Sequence, residues 1–172
     1  YAAAAHWRRG AFHHHPWNYW WGAATWAAVT GWVAATWANP VFYDYGENLY
    51  YQDDTVYYEG QPVASADEYY DQAAQIMQSA PEVEEKKTEE WMPLGVFALS
   101  HGYASDSNMM VQLAVNKDGV ISGTYYNTST ETARPIKGMV DRESQRAVWM
   151  FADGKQNSII METGIYNLTK DQ

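Results

Sequence analysis

The chain of 172 residues contains no cysteine. A disulfide framework, a thiolate nucleophile and a cysteine metal site are therefore all excluded. The chain must be stabilised by its own hydrophobic core, and its length is sufficient to bury one. What the sequence lacks thus points away from a small disulfide-stabilised scaffold and from cysteine enzymes.

Charge is nearly absent from the first quarter of the chain. Residues 1–43 carry Arg8 and Arg9 and no acid, whereas residues 44–90 carry thirteen acids and two lysines. The acidic middle repels nucleic acid and anionic lipid head groups, so we expect no nucleic-acid partner. Because the start is basic and the middle acidic, a head-to-tail contact between copies of the chain is electrostatically complementary.

Composition and pattern divide the chain into four parts. We predict an apolar assembly arm rich in Ala, Trp and His over 1–43, and an acidic, Tyr-rich hairpin and helix over 44–80. A charged linker follows over 81–90, and an antiparallel β domain over 91–172. The predicted fold class is α+β, with the β-meander forming a small barrel or sandwich behind the hairpin and helix and an apolar N-terminal helix or arm.

The β domain has the clearest pattern. In "MMVQLAVNKDGVISGTYYN" every second residue from Met109 to Val115 is apolar, which is typical of a half-buried strand. Asn116–Gly119 is a hairpin turn signal, and a second strand is predicted from Val120 to Tyr126. Gly123 and Gly138 fall within strands, where small barrels bend. The remaining strands are predicted at Leu94–Ser100, Thr132–Val140, Arg146–Phe151, Asn157–Glu162 and Ile165–Thr169.

The middle part contains one strong helix signal. Ser65 and Glu68 have the spacing of a capping box, which predicts a helix beginning after Ser65 and ending near Pro81. Upstream, the Tyr-rich stretch from Glu47 to Gly60 is interpreted as a hairpin that turns at Gln52–Thr55.

Tryptophan is concentrated in an uncharged stretch of the N-terminal part. The segment from Trp17 to Pro40 contains six tryptophans: Trp17, Trp20, Trp21, Trp26, Trp32 and Trp37. On a helical wheel over Trp17–Ala38, Trp26 lies opposite Trp32 and no polar face remains. A helix that is apolar all round must be buried all round.

Three interpretations of this stretch remain open. A helix of this length spans ~30 Å, enough to cross a bilayer, but tryptophan scattered along its middle is not typical of a membrane span. It could instead be a core helix of a monomer, although one small barrel could cover only one side of it. The favoured interpretation is burial against copies of itself, with the six tryptophans as the assembly interface. A head-to-tail contact of this kind that does not close builds a fibre.

Several stretches of the chain are similar to one family of bacterial proteins. "YYEGQPVASADEYYDQAAQIMQ", "EEWMPLGVFAL", "VQLAVNKDGVISGTYYN", "GMVDRESQRAVWMF" and "ETGIYNLTKDQ" together resemble planctomycete mu-protocadherin cell-surface proteins, from about residue 43 to the end. The resemblance implies a cell-surface location. It implies no catalytic residues, and the chain has no cadherin calcium motifs.

Signals for enzymatic chemistry are weak. His13–His15, with His6 nearby, offers imidazole ligands, but consecutive residues rarely all face one ion. Ser100, His101 and Asp106 have the residue types of a catalytic triad without a nucleophile-elbow motif. We therefore expect no catalytic residue, no metal site and no cofactor.

The sequence favours a non-enzymatic structural protein of the cell surface that self-assembles, in the form of a fibre or filament subunit. The alternative is a cell-surface ligand-binding module that the N-terminal segment anchors to a membrane or envelope. A barrel interior filled by Val, Ile, Leu and Met would favour the first, and a polar interior the second.

Overall fold

The alternating segment that begins at Met109 is a strand of a six-stranded antiparallel sheet, which is curled into a half-barrel. The structure is a computed structural model, and it describes residues 24–81, 90–99, 108–153 and 159–170. Within these described ranges, a separate three-stranded sheet and two α-helices complete the α+β fold. In chain order the elements are α1 (Trp26–Trp32), β1 (Leu49–Gln52), β2 (Thr55–Tyr58), β3 (Gln61–Ser65), α2 (Ala66–Ser79), β4 (Trp91–Leu99), β5 (Met109–Asn116), β6 (Val120–Asn127), β7 (Thr132–Val140), β8 (Arg146–Phe151), β9 (Met161–Gly164) and a 3-10 helix (Asn167–Thr169).

The half-barrel is a simple meander in which β4 to β9 pair in sequence order. The predicted turn between β5 and β6 is present, with Gly119 at φ +90°. The side chain of Asn116 organises this turn, because its Oδ1 accepts hydrogen bonds from the backbone N–H groups of Asp118 and Val120 at 3.0 and 2.8 Å. Only glycine adopts such a φ without strain, so Gly119 fixes the register of the two strands.

Two glycines allow the sheet to curl where the sequence predicted bends. A Cβ atom on Gly138 would overlap the carbonyl oxygen of Val148 and lie 2.7 Å from Cβ of Trp149. A Cβ atom on Gly123 would overlap the carbonyl oxygen of Gln112 on the neighbouring strand. Both positions therefore need glycine so that adjacent strands can approach closely on a strongly curved sheet.

The concave side of the half-barrel is filled by apolar side chains. Among the largest fully buried residues are Trp149, Leu94, Leu113, Ile121, Ile165 and Leu168. Val29 of α1 and Val33, which caps the C-terminus of that helix, are at most 1% exposed and belong to the same cluster. Just before this helix, Ala24 N–H donates a hydrogen bond to Leu94 O at 3.0 Å. One side of residues 24–33 thus packs against the core that the strands enclose, while Thr25, Ala27, Ala28 and Gly31 on the other side are exposed.

Helix α2 confirms the capping-box prediction. The Ser65 hydroxyl accepts a hydrogen bond from Glu68 N–H at 3.2 Å, and Glu68 Oε2 accepts one from Ser65 N–H at 2.8 Å. The helix packs on the convex side of the half-barrel, where Ala73 and Met77 form a cluster with Val148 of β8. Strand β8 is therefore covered on both sides, which explains its nearly continuous burial.

The Tyr-rich stretch forms the predicted hairpin, in which β1 pairs with β2. Asp53 and Asp54 in its turn have φ values of 47° and 63°. Positive φ at both central residues is the pattern of a type I′ turn, whose twist matches that of the strands. Strand β3, which completes this sheet, was not predicted, because Pro62 weakens the strand signal.

Three predictions of secondary structure are wrong within the described residues. The strand expected at Asn157–Glu162 is displaced, because β9 covers Met161–Gly164 and Ile159 and Ile160 are not part of a strand. The helix expected to run to Ala38 ends at Trp32, and Ala34 follows with a φ of 49° that a continuing helix cannot contain. The strand expected at Ile165–Thr169 is a 3-10 helix at Asn167–Thr169. A short apolar run cannot be assigned to helix or strand from periodicity alone.

Buried amide side chains hold the segment between α1 and β1 against the half-barrel. Gln145 Oε1 accepts a hydrogen bond from Val41 N–H at 2.7 Å, while its Nε2 donates to Asn39 O at 2.9 Å. Asn167 does the same for Tyr43, whose backbone N–H and C=O it binds at 3.2 and 2.6 Å. The segment therefore satisfies its backbone without belonging to either sheet.

Candidate assembly site

Of the six tryptophans predicted to form the assembly interface, Trp26, Trp32 and Trp37 lie in the described part of the chain. Trp17, Trp20 and Trp21 lie outside the described residues. All three described tryptophans are half-buried and pack against the core cluster of the half-barrel. Part of each ring remains exposed, so these rings form an aromatic layer at one end of the half-barrel.

The aromatic layer is built by ring contacts within the chain. Trp26 stacks on Trp37, with ring centroids 5.3 Å apart and an interplanar angle of 16°. Tyr166 meets Trp26 edge to face at 5.2 Å. Both arrangements are favourable for aromatic rings, so the first residue of α1 is held against Trp37 and Tyr166.

The indole N–H groups attach this layer to the strand ends. Trp32 Nε1 donates a hydrogen bond to Val115 O at 3.0 Å, and Trp37 Nε1 donates one to Arg142 O at 2.7 Å. Lys117 Nζ lies 5.1 Å from the centre of the Trp32 ring. Trp26 and Trp32 were predicted to lie on opposite sides of a long helix. Because α1 is short and seated against the strands, both rings instead reach the same core.

A buried ion pair joins the half-barrel to α2. Arg146 of β8 and Glu162 of β9 are 4% and 10% exposed in their side chains, and Arg146 Nη2 lies 2.5 Å from Glu162 Oε2. The guanidinium also lies 3.9 Å from the centre of the Tyr69 ring and donates to Gln72 Oε1 at 3.1 Å. Each nitrogen of the guanidinium thus donates at least one hydrogen bond, to Glu162 of β9 or to Tyr69 and Gln72 of α2. Sequence reasoning missed the pair, because nothing in a strand pattern shows which charged residues another element will cover.

Three tyrosines around this ion pair are kept neutral by burial. Burial raises the pKa of Tyr43 to about 12, an effect that the Arg146 charge partly offsets. Burial and the nearby Glu162 carboxylate also raise the pKa values of Tyr45 and Tyr69 well above their ordinary range. Because their pKa values lie far above neutral pH, these buried tyrosines stay uncharged and are suited to packing against their neighbours.

The outer side of the three-stranded sheet carries a second aromatic surface. Tyr50 and Tyr57 are paired across β1 and β2, and their rings stack at 5.2 Å with an interplanar angle of 6°. Pro62 of β3 lies opposite Tyr57 in the register and is exposed. We call the surface formed by Tyr50, Tyr57 and Pro62 the tyrosine face. Neither of its rings belongs to the hydrophobic clusters of the described residues.

The residues considered for metal binding or catalysis lie outside the described residues: His6, His13–His15, Ser100, His101 and Asp106. Within the described ranges, no three or more His, Asp or Glu side chains are grouped so that they could hold a metal ion. In the same ranges, no helix has the length and hydropathy that a membrane crossing requires.

Comparisons with known proteins found no matching family model, no matching curated protein and no matching solved structure. The resemblance to planctomycete cell-surface proteins therefore stays a prediction. The architecture itself is an α+β fold with a curled six-stranded antiparallel sheet.

Proposed function

We propose that the chain is a non-enzymatic structural protein of the cell surface that self-assembles through its N-terminal segment into a filament. The observation that carries this proposal is the filled interior of the half-barrel. Its concave side is occupied by Leu, Ile, Val, Phe and Trp side chains, among them Val29 of α1 and Val33 just after that helix. A ligand-binding barrel is expected instead to enclose a cavity with convergent polar groups.

The segment before Ala24 supplies the assembly element in this proposal. The aromatic layer of Trp26, Trp32 and Trp37 attaches the segment to the half-barrel, and Ala24 N–H is bonded to β4. Residues 1–23 come directly before this attachment in the sequence and carry Trp17, Trp20 and Trp21. Tryptophan is among the residues that contribute most to protein interfaces, because it supplies a large apolar area at low entropic cost.

The extracellular location follows from the resemblance to the planctomycete cell-surface proteins and is part of the same proposal. Because the chain has no cysteine, its fold does not depend on disulfide bonds and suits an oxidising or a reducing compartment. The membrane is a less favoured partner, since residues 44–81 carry eight acids and no base and would be repelled by anionic lipid.

Electron microscopy of negatively stained full-length chain tests this proposal. We expect filaments for the wild type and single particles for the variant Trp17→Ser/Trp20→Ser/Trp21→Ser. The matched control, Ala3→Ser/Ala4→Ser/Ala5→Ser, changes the same number of residues in the same segment and should still form filaments. Single particles for the wild type at all concentrations would contradict the proposal.

A further inference from the structure

We infer that the tyrosine face is the acceptor surface for residues 1–23 of a second copy of the chain. This inference rests on the proposed self-assembly and adds to it the surface that receives the N-terminal segment. Each copy then carries both a donor segment and an acceptor surface, and the donor of one copy binds the acceptor of the next. A contact between different surfaces is heterologous and, unless it closes into a ring, propagates as a filament.

The geometry of the tyrosine face suits an apolar partner. The opposite side of the same sheet is already occupied, because Leu49 and Val56 pack with Tyr43 in a buried cluster. Tyr50 and Tyr57 point away from that cluster and present stacked, half-buried rings. Tyrosine is enriched in protein interfaces because its rigid ring combines an apolar body with a polar hydroxyl.

Acidic residues surround the face at both ends of the hairpin. Asp53 and Asp54 lie in the β1–β2 turn, Glu59 lies in the β2–β3 turn, and all three are exposed. No lysine, arginine or histidine occurs between residues 44 and 81 to offset them. An occupant of this surface must therefore be basic as well as apolar, because complementary potentials select partners and accelerate encounter.

Residues 1–23 have this chemistry. They contain Arg8 and Arg9, no acid, and four tryptophans at positions 7, 17, 20 and 21. An arginine can lie over a tyrosine ring while it pairs with a carboxylate at the rim, and indole rings can pack on the tyrosine pair. A fully extended segment of this length would reach about 75 Å, which is sufficient to connect Ala24 with the surface of a neighbouring molecule.

The experiment mixes two full-length variants, each defective on one side of the contact. Tyr50→Ser/Tyr57→Ser removes the acceptor surface and keeps the segment, whereas Trp17→Ser/Trp20→Ser/Trp21→Ser does the reverse. Sedimentation velocity measures the size of each variant alone and of an equimolar mixture. We expect each variant alone to sediment as a monomer, because its dissociation constant for self-association should exceed that of the wild type by about tenfold or more. The mixture should form 1:1 dimers and nothing larger.

A second variant of the acceptor surface keeps the inference testable if Tyr50→Ser/Tyr57→Ser does not fold. Asp53→Asn/Asp54→Asn/Glu59→Gln removes the rim charges with side chains of similar shape, and asparagine tolerates the positive φ of the turn. This variant should assemble more weakly than the wild type, and the difference should disappear at high salt because exposed charges are screened. The control Tyr70→Ser removes an exposed tyrosine of α2 and should assemble normally.

The outcomes separate this inference from the function on which it rests. If Tyr50→Ser/Tyr57→Ser assembles like the wild type while the tryptophan variant is monomeric, the acceptor surface lies elsewhere and the self-assembly proposal survives. If the wild type itself is monomeric, and Trp17→Ser/Trp20→Ser/Trp21→Ser increases the tyrosine fluorescence of that monomer, the segment covers its own chain. That result overturns both proposals.

Discussion

The side-chain amide of Asn167 binds both backbone groups of Tyr43, accepting from its N–H and donating to its C=O. The two residues are 124 positions apart, and both are buried. The contact closes the fold, because it fastens the segment that follows the aromatic layer to the 3-10 helix after the last strand. Gly164 makes room for it, since a Cβ atom there would lie 2.6 Å from the Tyr43 ring.

Replacing Asn167 should therefore lower stability strongly. Asn167→Leu leaves the N–H and C=O of Tyr43 buried without partners, and we expect the free energy of unfolding to fall by about 2–4 kcal/mol. Chemical denaturation followed by circular dichroism measures this loss. The control Gln78→Ala removes an exposed amide from α2 and should change little. Equal stability of the two variants would show that the Asn167 side chain does not hold the segment around Tyr43 in place.

Glycine substitutions should have opposite effects at two positions. Gly138→Ala forces a methyl group into the backbone of β8 and should cost about 2–3 kcal/mol or prevent folding. Gly31 is exposed in α1 and has open space around its Cα, so Gly31→Ala should stabilise by up to about 1 kcal/mol. Thermal melts of both variants test the curvature assigned to β7. A tolerated Gly138→Ala would mean that the sheet is flatter than described.

The buried tyrosines predict a loss of stability at alkaline pH. The pKa of Tyr43 is raised from 10.0 to about 12, so the folded chain retains a proton that the unfolded chain releases. Stability is therefore fully present below pH 10 and is lost as the pH rises towards 12. Each such tyrosine contributes a slope of about 1.4 kcal/mol per pH unit in this window.

Unfolding in denaturant at several pH values measures that slope. Tyr43→Phe should lose about 1 kcal/mol at neutral pH, because its hydroxyl donates to Ser144 O, but its stability should fall less steeply above pH 10. Tyr70→Phe, at an exposed position, should keep the wild-type slope. An unchanged slope in Tyr43→Phe would show that this hydroxyl is not buried.

The ion pair between Arg146 and Glu162 should behave as a buried pair. Glu162→Gln leaves a buried guanidinium without its counter-charge, and we expect a cost of about 3–5 kcal/mol. The double variant Arg146→Met/Glu162→Leu should recover most of that loss, since it leaves no buried charge. In contrast, Glu90→Gln disrupts the exposed pair with Lys117 and should be neutral. A neutral Glu162→Gln would mean that water reaches the pair.

Local signals in the sequence predicted most of the fold. The alternation around Met109, the turn at Gly119 and the Ser65–Glu68 capping box each depend on a few neighbouring residues, and each is present as expected. The contacts that place these elements against one another were not predictable. The hydrogen bonds between the Asn167 side chain and the Tyr43 backbone join residues far apart in sequence. No periodicity in the sequence indicates which Asn or Gln side chain will be buried.

The geometry of the candidate site could not be predicted from composition. Tryptophan density predicted an assembly interface between copies of the chain, whereas Trp26, Trp32 and Trp37 contact their own half-barrel. The helical wheel assumed one continuous helix, whereas α1 has seven residues and ends before Ala34. The tyrosine face was not foreseen either, because Tyr50 and Tyr57 stack only once the register of β1 and β2 is known.

The most direct measurement is the mass of the full-length wild-type chain by light scattering over a range of concentrations. If the chain self-assembles through its N-terminal segment, the mass should rise with concentration well above the 19.6 kDa of one chain. Apolar tryptophan contacts are not screened by ions, so the assembly should persist at high salt. A mass that stays at 19.6 kDa at every concentration and salt level would contradict the proposed function.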